Sequence, residues 1–308
     1  MRFCLSTGLV MPIALSAFLS VSTCFGGGAG WTHDVDAALK QAKKEGKDVL
    51  MDFTGSDWCG WCIRLNEEVF SQKEFLPAVT KRFVLVELDF PRGKQQSAEI
   101  KKQNAEWQAK FQVRGFPTIL LTDADGRPFA QTSYKPGGAE KYISHLSELQ
   151  GIRKKRDEAF SKARGAKGTE RAKLLDAALT ALSGSNLQLG VILAAYGNLT
   201  EEIVKADANN EAGLKSKYAS ISRQTKIRSL LGKRDFKGAI AACDEALKAE
   251  KLSGQLAQDM YLLRSECKFY AGQKETARSD LDLALKAAPK GERVKTIQMI
   301  ITRVFKGK

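Results

Sequence analysis

Histidine is almost missing from this 308-residue chain: it has only His33 and His145. A protein zinc site usually takes four ligands, built from two closely spaced Cys or His pairs. The pair Cys59-x-x-Cys62 finds no second pair of that kind, because Cys243 and Cys267 stand apart, far along the chain. No metal is expected. Long apolar runs are missing as well. None after the first 30 residues approaches the roughly 20 that a membrane helix needs, so no transmembrane span is expected. Lys and Arg outnumber Asp and Glu, 49 to 35. The basic residues nevertheless lack interleaved aromatics, and their densest run is Arg153-Lys154-Lys155-Arg156. Nucleic acid is not an expected partner.

The first 30 residues read as a secretory signal peptide. Arg2 is a small positive start, Leu9 to Leu19 an apolar core, and Ser20 to Gly30 a stretch of small residues. The expected location is therefore periplasmic or secreted. Val21, Ser22 and Thr23 match a lipoprotein cleavage box only loosely, with Thr where Gly or Ala is usual. A lipid anchor at Cys24 is thus not expected. The rest has the composition of a folded soluble protein, 43% hydrophobic and 27% charged. Its charge is uneven: 18 basic and 17 acidic residues in 1–150, against 31 and 18 in 151–308. Such a basic half suits a solvated helical surface that docks an acidic protein partner or an anionic envelope.

Helix and strand patterns alternate up to residue 150. Thr32 is placed to cap a helix that Gly46 ends, and Asp48 to Phe53 reads as a strand. A loop then delivers Trp58-Cys59-Gly60-Trp61-Cys62 to a helix running to about Phe70. A short helix near Lys73 to Lys81, a strand from Phe83 to Leu88 and a Ser97-capped helix to about Phe111 follow. Asp125-Gly126 between apolar runs signals a hairpin of Thr118–Leu121 with Phe129–Thr132. A helix from Ala139 to Leu149 closes a mixed α/β sheet unit. Beyond Gly151 strand signals vanish. Phe236, Ala239, Ala246 and Leu247 recur 38 residues on as Lys274, Ala277, Ala284 and Leu285, a weak helical repeat. The expected division is 1–30 signal, 31–150 α/β unit and 151–308 all-α unit, with a linker-like junction near Gly151. Counting from a turn near Lys251 and Leu252 puts Cys243 and Cys267 about 9 Å apart along their helices, so they are expected unpaired.

A Cys-x-x-Cys at a helix start has a direct chemical reading. Unpaired backbone N–H groups and the helix dipole favour a thiolate at the first cysteine. The second, one turn on, can attack a mixed disulfide formed at the first. Cys59 is thus the expected exposed nucleophile and Cys62 the buried resolving thiol. A structural disulfide that never turns over is the competing reading. Cys59 also lacks the Arg and Thr brace of peroxide-reducing thiol enzymes.

Asp52-Phe53 on the strand, Trp58 before the first cysteine and Val113-Arg114-Gly115-Phe116-Pro117-Thr118 downstream together resemble the thioredoxin superfamily over about residues 31–150. Thr54-Gly55-Ser56-Asp57-Trp58-Cys59 is similar to secreted bacterial thioredoxin-like proteins and to the C-terminal domain of DsbD. The repeat resembles the tetratricopeptide pattern, with four extra residues and Lys274 where an aromatic is common. The resemblance implies a cis Phe116–Pro117 bond facing the disulfide, Phe116 backbone pairing with substrate and Pro117 keeping metals off the thiols. It implies Asp52 as the buried carboxylate that exchanges a proton with Cys62. One residue more than in thioredoxin separates Asp52 from Cys59, which leaves a strand-end role open for Asp52. Gly60-Trp61 replaces the Gly-Pro of reducing thioredoxins, so the direction of electron flow is not inherited. Trp61 either meets substrate or packs.

The expected function is thiol–disulfide exchange with protein thiols, with no bound cofactor and a redox partner that re-sets the pair. Trp58, Gly60, Trp61, Phe116 and Pro117 form the expected substrate-facing surface. The alternative is a helical-repeat binding module on a thioredoxin scaffold with a static disulfide.

Overall fold

The computed structural model describes residues 30–249 and 252–305; the expected leader and Cys24 lie outside them. β1 (Trp31–Thr32), β2 (Asp48–Thr54), β3 (Phe83–Asp89), β4 (Thr118–Thr122) and β5 (Pro128–Thr132) form one sheet in the order β1-β3-β2-β4-β5. β2 and β3 are buried end to end, as parallel strands covered on both faces are. Their register sets Asp52 opposite Glu87 and Thr54 opposite Asp89. β4 runs antiparallel to β2 with Thr118 opposite Phe53, and β5 pairs antiparallel with β4. The sheet is mixed, as its pattern indicated. Only the two-residue β1 went unseen, being too short to carry a period.

The first helix, α1 (Val35–Glu45), is capped by Asp34 and not by Thr32. Asp34 Oδ1 accepts from Ala37 N at 2.9 Å, while Thr32 Oγ1 accepts from Asp34 N at 3.2 Å. The two polar residues hand the chain on in sequence, and the nearer one reaches the free N–H. Gly46 ends α1 in the left-handed conformation, φ 66°. α2 (Gly60–Leu65) continues as a π-helical turn, Asn66–Phe70. α3 (Phe75–Val79) and α4 (Ala98–Lys110) follow, with Ser97 Oγ capping α4 through Ile100 N.

α5 is the main departure. It spans Gly138–Gly165 without a break, where the sequence suggested an end near Leu149 and a junction at Gly151. One glycine costs a helix interior only about 1 kcal/mol, and packing on both sides of Gly151 outweighs that. Within the run Arg153 to Arg156, Lys154 and Lys155 are exposed, but the two arginines turn inward. Arg153 binds the buried Asp48, and Arg156, 1% exposed, binds Asp123 at 3.1 Å and Tyr196 Oη at 2.6 Å.

The remaining described chain is helical: α6 (Gly168–Ser183), α7 (Leu189–Ala206), α8 (Leu214–Gly232), α9 (Phe236–Ala249), α10 (Gly254–Tyr270), α11 (Lys274–Ala287) and α12 (Val294–Ile300). One apolar core runs from Val35 in α1 through the sheet to Tyr218 in α8. Separate small cores lie around Cys243 and Cys267 and around Leu281 and Ile297. α9 and α11 begin at Phe236 and Lys274, the positions that the 38-residue shift relates. Ala239, Ala246, Ala277 and Ala284 are all buried, which lets neighbouring helices approach closely. Cys243 and Cys267 are unpaired and buried, as expected, and share one small core.

Candidate active site

The C-terminal end of β2 runs into the segment from Gly55 to Trp58, which is pinned on one side to the chain following β3. Asp89 takes Ser56 N at 2.9 Å and Ser56 Oγ at 2.6 Å. Asp57 accepts from the backbone of Arg92 at 3.0 Å and Gly93 at 2.6 Å, donors that hold its carboxyl below the usual range. Trp58 Nε1 donates to Phe90 O at 2.8 Å, and the Arg92 guanidinium lies 4.1 Å from its ring centroid. Gly55 is required here: a Cβ on it would stand 2.6 Å from the Trp58 indole. These contacts fix the loop that presents the cysteines.

Cys59 is the N-cap of α2. Its Sγ is bonded to Cys62 Sγ, with the Cα atoms 5.2 Å apart, and accepts from Cys62 N at 3.3 Å. That position folds its side chain back over the first helical turn. The expected exposed nucleophile is therefore only 7% exposed, against 4% for Cys62. Gly60 beside it leaves open space: a Cβ there would meet nothing within 4 Å.

The rim is aromatic. The Phe116–Pro117 bond is cis and leads into β4 beside the end of β2. Phe116 packs edge-on to Trp58 at 5.9 Å and stacks on Phe90 at 5.1 Å. Trp61 is 57% exposed yet ordered, 5.3 Å from the Tyr134 ring, with the Arg64 guanidinium over both. Glu68 holds Arg64 Nε at 2.6 Å and Tyr134 Oη at 2.7 Å. Tyr134, Arg64 and Glu68 were not singled out in the sequence. Tyr134 lies 73 residues beyond Trp61, and no local pattern joins them.

Behind the disulfide, Asp52, Glu87 and Cys62 line one pocket of about 200 Å³, with Glu67 and Lys94 also on its wall. Asp52 is 6% exposed and its Oδ1 has no hydrogen-bond partner. Burial, then the charges of Glu87 and Asp89, push its pKa well up. Burial and Asp89 push Glu87 up to about 7, eased by Lys94. Glu87 was missed, although an acid inside the apolar run Phe83 to Leu88 was a visible signal. Among the described residues no cluster of His, Cys, Asp and Glu could hold a metal ion, and no helix is long and apolar enough to cross a membrane.

Residues 35–147 match the family described as a thioredoxin-like domain. The disulfide bond reductase DsbH of Chlamydia pneumoniae is 34% identical over 116 residues, 38% of this chain and 70% of the relative. The thiol:disulfide interchange protein DsbD of Vibrio cholerae is 30% identical over 120 residues, 39% of this chain but only 18% of DsbD. A solved DsbH oxidoreductase is 32% identical, covering 40% of this chain and 86% of that one, with a TM-score of 0.38.

Proposed function

Because the chain belongs to the thioredoxin-like family and is a thiol–disulfide oxidoreductase, we propose that it is exported and reduces protein disulfides through Cys59. The observation that carries this reading is the Cys59–Cys62 disulfide at the start of α2, with a buried carboxylate on the same pocket as Cys62. In the reduced enzyme the Cys59 thiolate, favoured by the free N–H groups of the helix start, attacks a substrate disulfide. One substrate thiolate leaves and a mixed disulfide forms. Cys62 gives its proton to Asp52, attacks Cys59 Sγ and expels the second substrate thiolate. The reducing direction is supported by the likeness to a protein named a disulfide bond reductase.

Phe116, Pro117, Trp58, Gly60 and Trp61 would receive the substrate chain, the aromatic rings by stacking and Gly60 by leaving room. A separate dithiol partner re-sets the pair. We assign the helical part, with its tetratricopeptide-like 38-residue spacing, to holding a partner of acidic surface.

Cys62→Ser removes the resolving thiol, so it should accumulate mixed disulfides at Cys59 that dithiothreitol releases. The wild-type pair should titrate near the potential of thioredoxin, about −270 mV, and not that of DsbA, about −120 mV. No trapped adducts would favour the static-disulfide binding module. A DsbA-like value would reverse the direction.

A further inference from the structure

Glu87 is a costly residue for its position. β3 is buried along its whole length, and an apolar side chain there would avoid the desolvation of a carboxylate. A purely structural buried acid is normally satisfied by donors. Asp89, two residues on, shows that pattern, with both oxygens held by Ser56. Glu87 does not: it is 7% exposed and its Oε2 has no hydrogen-bond partner. Its near neighbour there is His33 Nδ1, 3.5 Å from that oxygen, an ion pair only when the imidazole is protonated, and 3.3 Å from Glu87 O.

The surroundings point to proton transfer. Asp52 is the register partner of Glu87 on the adjacent strand, and its Oδ1 is also unpartnered. Both acids line the pocket that Cys62 lines, and the exposed residues Glu67 and Lys94 belong to the same wall. At about 200 Å³ the pocket admits several waters, each needing about 30 Å³. The groups facing Glu87 are thus Asp52 on β2, Asp89 on its own strand, His33 after β1, and Lys94 and Glu67 at the pocket.

We infer that Glu87 is the relay residue between Asp52 and solvent, moving the Cys62 proton in and out of the closed site. The inference rests on the exchange reaction proposed above. Asp52 carboxylate takes the proton from the Cys62 thiol, and the resulting thiolate closes the Cys59–Cys62 bond while substrate thiolate leaves. Asp52 then passes the proton to Glu87 carboxylate, and Glu87 releases it to pocket water, where the departing thiolate recovers it. Electrons move only from the enzyme dithiol to the substrate disulfide. Two acids this close titrate as a pair, and burial holds Glu87 near neutrality, where a relay works in both directions.

The test follows the reduced full chain reacting with an aromatic disulfide such as Ellman's reagent. The first thiolate released reports attack by Cys59, and the second reports resolution by Cys62. In Glu87→Gln the first phase should be unchanged. The second phase should lose its inflection near pH 7 and slow about threefold to tenfold above it. Glu87→Asp should restore the inflection, displaced in pH. In an Asp52→Asn background Glu87→Gln should change the second phase less than twofold. A Glu87→Gln profile that overlays the wild type would overturn the relay. Should the variant not fold, carboxyl titration by NMR in the wild type decides. A Glu87 midpoint near 7 that differs between the oxidised and reduced protein is expected; an ordinary, redox-blind midpoint refutes it. A wild type that never releases the second thiolate defeats the exchange reaction itself, which is a separate failure.

Discussion

At the scale of single residues, the acids behind the disulfide set chemistry against stability. Asp52 and Glu87 have folded-state pKa values above their unfolded ones. Below about pH 3.5 both states are largely protonated and little is lost. As pH rises, the unfolded chain ionises first, so stability falls until the folded pKa is reached. For Glu87 that window runs from 4.5 to about 7 and costs about 3 kcal/mol. Asp52→Asn and Glu87→Gln should therefore be more stable than the wild type at pH 8 and equal to it near pH 3.5. Urea midpoints of the oxidised proteins at the two pH values check this; a gain that persists at low pH would mean a packing effect. Cys59, Cys62 and the Phe116–Pro117 pair were legible because each is a local pattern tied to chemistry. Glu87, Tyr134 and Arg64 were not, because their roles arise from strand register and from contacts across the fold. Thr32 was misread as a cap for a smaller reason. Two capping residues stood two positions apart, and only geometry decides between them.

At the scale of elements, α5 shows how packing overrides a punctuating residue. Gly151 looked like a boundary, yet it sits in mid-helix with open space where a Cβ would go. Gly151→Ala should stabilise the protein by about 0.5–1 kcal/mol, read as a higher urea midpoint. A true hinge there would instead give no gain. α9 and α10 teach a related lesson. Counting residues from a turn assumes that both helices start level with it. Cys243 and Cys267 share one small core despite their unequal counts from that turn. In reduced, folded protein these thiols should resist maleimide while Cys59 reacts, since the hydrogen bond to Cys267 and then burial push the Cys243 thiol up. Mass mapping of the alkylated sites, before and after urea, gives the comparison. Label at Cys243 in folded protein would contradict the packing described.

At the scale of the whole molecule, one joint between the helices and the sheet lies at the end away from the disulfide. Asp48 begins β2 and Asp123 follows β4, whereas the cysteine loop leaves the far end of β2. Arg156 ties α5 to Asp123 and to Tyr196 of α7, and Tyr196 Oη donates to Pro128 O at 2.9 Å. A β2 strand of seven residues separates this joint from the site by roughly 20 Å, at about 3.3 Å per residue. The joint should therefore govern stability and leave the redox chemistry alone. Arg156→Ala removes a buried guanidinium from Asp123 and Tyr196, but Asp123 keeps Arg127 Nε at 3.0 Å, so the loss should stay below the roughly 3–5 kcal/mol of a fully stranded charge. The shared core from Val35 to Tyr218 makes that loss fall on the sheet and on α5 to α8 together, while the small cores of α9 to α12 open independently. Hydrogen exchange should accordingly show β2, β4, α5 and α7 losing protection in step in Arg156→Ala, with α10 and α11 unchanged. The reduction potential of Cys59–Cys62 should stay within about 10 mV of the wild type, under 0.5 kcal/mol for a two-electron couple. A larger displacement would mean that the helical part reaches the active site through the sheet, and α5 would then be its lever.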